Sequence, residues 1–148
     1  MSETVAIAAD HGGFDLKEAL LPVLQAAGVA VLDLGTLSRD AVDYPDVAEA
    51  LAAAMMTGRA ERGVLICGTG IGISIAANRH AGLRAALCHD GLTARLARQH
   101  NDANVLVLGG RVIGIETAKD CLAIFLSTPF EGGRHARRVA KLGRAFPS

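Results

Sequence analysis

Gly63-Val64-Leu65-Ile66-Cys67-Gly68-Thr69-Gly70-Ile71-Gly72 is the stretch on which the fold turns. Its first half is an apolar run with no polar residue alternating into it, which reads as a strand buried on both faces and so as part of a parallel sheet covered by helices. Its second half spends Gly68, Gly70 and Gly72 on a tight turn, followed by a helix over about residues 73–79.

The same strand-then-helix unit recurs on either side. Upstream, Thr4–Ala9 is a β-branched apolar run, and residues 14–27 have helical spacing (Phe14, Leu16, Leu20, Leu21, Leu24) closed by Gly28 as the residue after the cap. Pro22 lies inside that helix and is expected to kink or split it. Residues 29–34 form a second strand, and Pro45 can occupy the first position of an Ala-rich helix over 45–57, ended by Gly58. Downstream come a strand over 83–88, a helix over 92–99, a strand over 104–108 and helices over 115–126 and from Arg134. No linker, repeat or charge block interrupts the series. The expected architecture is α/β: a single domain spanning 1–148, a Rossmann-like three-layer α/β/α sandwich with a five-stranded parallel sheet.

Composition narrows the function classes. Fifteen Lys+Arg balance fifteen Asp+Glu over 148 residues, which argues against a protein built mainly to hold nucleic acid or an anionic membrane, since such binders collect basic charge. Apolar runs end well short of the roughly 18 residues of a membrane span, and the Met1-Ser2-Glu3-Thr4 opening lacks the basic start of a signal peptide. A cytoplasmic protein is expected. Cys67, Cys88 and Cys121 lie far apart, as befits free thiols rather than a disulfide framework or zinc site.

In doubly wound sheets ligands bind beyond the carboxyl ends of the strands. That directs attention to Asp10 to Gly13, Cys67 to Gly72, His89-Asp90 and Gly109 to Arg111. The glycines of the third turn leave backbone N–H groups free for an anion; the alternative is a turn that merely packs helix on sheet. No Lys follows, so this is not a nucleotide P-loop, and the first turn reads Asp10-His11-Gly12-Gly13 rather than a dinucleotide fingerprint, although Asp33 mimics that fold's ribose-binding acid. Cys67, just before the cradle, should have its thiolate stabilised and can act as a base; otherwise it is a small buried hydrophobe, the role expected of Cys88 and Cys121. Asp10-His11 offers an acid/base pair or a helix cap. His100-Asn101-Asp102 closes a helix, where a histidine also suits the helix dipole. Arg134 and Arg138, four apart, share one face of the last helix; cations in a first turn oppose the dipole unless an anion such as phosphate sits between them, and a solvated basic tail is the alternative.

Taken together, the sequence resembles the type B ribose-5-phosphate isomerases of the ribose/galactose isomerase superfamily. The resemblance rests on Ala9-Asp10-His11-Gly12-Gly13-Phe14, Asp43-Tyr44-Pro45, the run from Leu65 to Asn78, Arg98-Gln99-His100-Asn101-Asp102, Gly110-Arg111-Val112-Ile113-Gly114 and Glu131-Gly132-Gly133-Arg134-His135. It implies interconversion of ribose 5-phosphate and ribulose 5-phosphate without metal or organic cofactor. Cys67 would be the base that moves a proton between carbons 2 and 1, and the amides around Gly68, Gly70 and Gly72, with Thr69, would hold the cis-enediolate. By the same resemblance His100 with Asp10 would open the furanose ring, Asn101 and Tyr44 would position the sugar, and His11, Arg111, Arg134 and Arg138 would bind phosphate. Some relatives use a Glu farther along the third turn, but residues 71–75 contain no acid. The family also implies a homodimer, sometimes a tetramer, whose sites are completed by the neighbouring subunit, with His100, Asn101 and Arg111 expected to cross. Relatives acting on allose 6-phosphate, galactose 6-phosphate or tetrulose phosphates leave the sugar open, and a noncatalytic phosphosugar-binding protein or a dinucleotide-dependent oxidoreductase are the readings of other kinds.

Overall fold

The computed structural model describes residues 3–144; residues 1–2 and 145–148, the ends of the expected domain, lie outside the described residues. Strands and helices alternate as β1 (Thr4–Ala9), α1 (Phe14–Ala26), β2 (Ala30–Asp33), α2 (Tyr44–Met56), β3 (Arg62–Cys67), α3 (Ile71–Ala77), β4 (Ala85–Leu87), α4 (Gly91–Asn101), β5 (Val105–Gly109), α5 (Ile115–Ser127) and α6 (Arg134–Leu142). The five strands form one parallel sheet in the order β2-β1-β3-β5-β4.

Strand pleating sorts the core into two halves. Val5, Ile7, Ala9, Val64, Ile66, Leu106 and Leu108 face α1, α4 and α5, packing on Leu20, Leu24, Ala94, Leu122 and Phe125. Ala6, Ala8, Leu65, Cys67, Val105 and Val107 face α2 and α3, packing on Ala48, Leu51, Ile73 and Ala77. Each fully buried Leu, Ile or Phe contributes about 1.5–3 kcal/mol. The expected three-layer sandwich is therefore the architecture found.

Several expectations are corrected in detail. Pro22 neither splits nor ends α1, which runs unbroken through it. The carbonyl that proline leaves without its usual partner belongs to Glu18, and both residues are exposed, so water can replace the missing bond. Helix α3 begins two residues earlier than expected, directly on Gly70, and β4 is only three residues long. Asp33 is no ribose-binding acid. Its two carboxylate oxygens accept from Lys17 Nζ at 3.0 and 2.9 Å, and one also accepts from Gly35 N–H at 2.9 Å. Lys17 is fully buried, and the pair ties α1 to the end of β2.

Candidate active site

Chain order reverses between β1 and β3: β2 lies beyond β1 on one side, and β5 and β4 beyond β3 on the other. Such a switch point opens a crevice at the carboxyl ends of the two strands. The loops after β1, β3 and β5 meet there with their backbones in contact. A Cβ added at Gly110 would lie 2.7 Å from the Gly12 carbonyl oxygen, and one at Gly109 would lie 2.5 Å from that of Thr69.

Cys67 ends β3 and is 5% exposed. Its sulfur accepts the Gly70 N–H at 3.1 Å, an interaction that strengthens when the sulfur is charged. Gly70 holds a left-handed φ of 80°, which aims its amide back at the sulfur. Thr69 Oγ1 accepts from Ile71 N–H at 3.2 Å, leaving its hydroxyl proton for a ligand. Helix α3 has only seven residues, so individual amides matter more here than a helix macrodipole.

The surrounding residues come from three further elements. The Asp10 carboxylate is buried and accepts from Gly12 N–H at 2.9 Å and Gly13 N–H at 3.2 Å. His11 instead accepts the Val42 N–H on Nδ1 at 3.2 Å. The two neighbours thus serve separate partners rather than each other. When neutral, His11 carries its proton on Nε2, available to an anion. Tyr44, at the start of α2, lays its ring against Gly72, where an added Cβ would meet Cε1 at 2.7 Å. Arg111 donates its backbone N–H to the Gly68 carbonyl at 2.8 Å and reaches over Gly68 with its guanidinium. Asp10, His11, Tyr44, Cys67, Gly68, Thr69, Gly70, Gly72 and Arg111 therefore gather within one chain. The Arg111 guanidinium thus lies at the Cys67 crevice of its own chain, whereas the resemblance implies that it reaches a neighbour's.

The remaining expected residues form a second cluster. His100 and Asn101 end α4, and with Arg138 and His135 of α6 they line a groove of about 270 Å³. Arg134 opens the same helix without a side-chain cap. The rings of His100 and His135 stack at 4.4 Å between centroids, 12° from parallel. Glu131 Oε1 lies 3.9 Å from His100 Nε2 and 3.6 Å from His135 Nε2. Burial, with the positive charges of His100 and Arg134, holds the His135 proton affinity below the ordinary histidine value. This cluster lies at the opposite end of the sheet: α4 runs eleven residues, about 16 Å, back from the carboxyl edge. Asn104 just beyond it bonds Gly63 at the beginning of β3. His100 and Asp10, expected to act together, are thus apart in a single chain.

Sequence reasoning missed Glu131, His135 and Lys17. A Glu and a His four apart invite a shared helix face, but Gly132 and Gly133 interpose a turn at positive φ, which masks the pairing. Cys88 and Cys121 are buried as expected, and burial pushes both thiols up to about 11.

Comparisons with known proteins identify the family and the fold. Residues 5–142 match a model of the family described as ribose/galactose isomerase. Ribose-5-phosphate isomerase B of Escherichia coli K12 is 49% identical over 135 residues, 91% of each chain. A crystal structure of a ribose 5-phosphate isomerase from Thermotoga maritima superposes with a TM-score of 0.93 at 51% identity, covering 97% of this chain and 99% of that one. D-erythrulose-4-phosphate isomerase of Pectobacterium atrosepticum is 45% identical over 141 residues, 95% of this chain and 93% of that protein.

Proposed function

The chain belongs to the ribose/galactose isomerase family, and we propose that it interconverts D-ribose 5-phosphate and D-ribulose 5-phosphate in the cytoplasm as a step of pentose phosphate metabolism. The observation that carries this reading is the Cys67 sulfur receiving the Gly70 amide at 3.1 Å on the switch-point crevice. There the thiolate removes the carbon 2 proton of the open aldose and returns it to carbon 1. The charge that develops on the enediolate oxygens meets the amides of Gly68 to Gly72 and the Thr69 hydroxyl, donors worth about 3 kcal/mol each when preorganised. Arg111 and His11 Nε2 lie on the same rim and suit a phosphate, whose binding holds the reacting end in place.

Ring opening requires His100 at the same sugar as Asp10, which supports a homodimer, alone or paired into a tetramer, in which one protomer supplies the Cys67 half and its partner supplies His100, Asn101, Arg134 and Arg138. Exposed apolar residues accompany both halves: Ile71 on the cradle, and Leu142 in the groove beside Asn101. An aggregate of that kind covers them.

Substitution Cys67→Ala should lower turnover by about 10²- to 10⁴-fold and abolish carbon 2 deuterium exchange in heavy water, while ribose 5-phosphate still protects the variant against thermal unfolding. Near-normal turnover would exclude the thiol as base, and a wild-type chain that binds but exchanges nothing would be a phosphosugar-binding protein.

The likeness to a four-carbon ketose phosphate isomerase favours a second reading, a tetrulose phosphate substrate. Comparison of kcat/KM across four-, five- and six-carbon sugar phosphates separates the two, and a preference for ribose 5-phosphate above about tenfold, about 1.4 kcal/mol, is expected.

A further inference from the structure

The His100, Glu131 and His135 cluster contains more than ring opening uses. His100 Nε2, His135 Nε2 and Glu131 Oε1 offer three ligand atoms within 4.8 Å of one another. Two imidazoles and one carboxylate are a donor set that suits Zn²⁺ with a fourth position left open. The backbone holds the set together before any ion arrives. Glu131 N–H donates to the Gln99 carbonyl at 3.1 Å, and His135 N–H to that of Gly132 at 3.0 Å. The first of these bonds pins the acid against the last turn of α4, one residue from His100.

We propose that His100, Glu131 and His135 form a three-ligand site for Zn²⁺ or a similar late first-row divalent cation, opening onto the groove at the end of α4. Bond lengths of about 2.0–2.1 Å require neighbouring donors roughly 3.3 Å apart. Glu131 at 3.6 and 3.9 Å from the two nitrogens needs only to close slightly. The stacked rings must fan apart by side-chain rotation, which His100, with its side chain 38% exposed, can make. His135 is nearly buried, so its ring is held in place while His100 and Glu131 adjust to it. Among the charged groups facing the set, Glu131 favours a dication, whereas Arg134 and Arg138 oppose it; affinity should therefore fall below that of a dedicated structural zinc site. Occupancy withdraws His100 Nε2 from proton transfer, so the ion would inhibit an enzyme that opens the sugar ring there.

Titration of the metal-free full chain with Co²⁺, read by visible absorption, tests the site. The expected result is one ion per chain, with the intense d–d bands of a four-coordinate nitrogen and oxygen site, no thiolate charge-transfer band in the near ultraviolet, and displacement by Zn²⁺. Glu131→Gln, at a half-exposed position, should weaken binding at least tenfold, as should His135→Gln, whereas Cys67→Ser should leave it unchanged. Absence of one-ion binding, or loss of the bands in Cys67→Ser rather than Glu131→Gln, would overturn the proposal. Binding at the site without inhibition would uphold it and count against His100 as the ring-opening group.

Discussion

At Cys67 a small set of contacts separates one thiol from two others of the same kind. Cys67 receives a backbone N–H in a crevice, whereas Cys88 and Cys121 are sealed in the core and pushed up to about 11 by burial. At pH 8 each of the latter is ionised in about one molecule in a thousand. Since only the thiolate alkylates, iodoacetamide at pH 8 should modify Cys67 and spare the other two in the folded protein, and ribose 5-phosphate should slow that modification. Peptide mass spectrometry reads the outcome; preferential labelling of Cys88 or Cys121 would contradict the assignment. Sequence separates these thiols because position supplies the difference: Cys67 ends a strand before a glycine turn, Cys88 lies at the end of an apolar run and Cys121 on an apolar helix face. It could not show that Asp10 and His11 take separate partners, since that depends on where the loop before α2 places the Val42 amide.

The turn between β3 and α3 and the turn after α1 both contain a glycine at positive φ, 80° at Gly70 and 81° at Gly28, but their surroundings differ. A Cβ at Gly70 would lie 2.5 Å from Leu87 Cδ1 and 3.1 Å from the Leu108 carbonyl, whereas one at Gly28 meets nothing within 4 Å. Gly28→Ala should therefore cost about 1–2 kcal/mol for the left-handed backbone alone and keep activity. Gly70→Ala adds overpacking, for about 2–5 kcal/mol in all, and loses activity because the amide that faces Cys67 moves. Urea denaturation with parallel assays checks the pair; equal losses of stability would show that packing of the cradle against β4 and β5 contributes little. The elements themselves were legible because unbroken apolar runs and glycine punctuation mark them. Strand order was not. Nothing local in residues 83–109 records that β5 inserts between β3 and β4, and Lys17 looks like a surface residue until Asp33, sixteen positions away, closes on it.

At the scale of the molecule, one sheet separates two half-sites. The Cys67 half sits at its carboxyl edge, and the His100 half lies at the other end, beyond the length of α4. From sequence the residues of both clusters are named as one set, and the family resemblance implies that His100 and Asn101 cross between subunits. What spacing along the chain does not show is that a helix running back across the sheet carries them to its far end. The account therefore depends on a second copy bringing His100 to Cys67. Subunit complementation between Cys67→Ala and His100→Ala measures this directly. Each variant alone should be nearly inactive. Equal amounts, mixed and allowed to exchange, give half heterodimers, each with one intact site and one doubly defective site, so activity should rise to about a quarter of wild type. A mixture as inactive as its parents, despite demonstrated subunit exchange, would contradict a site shared between protomers.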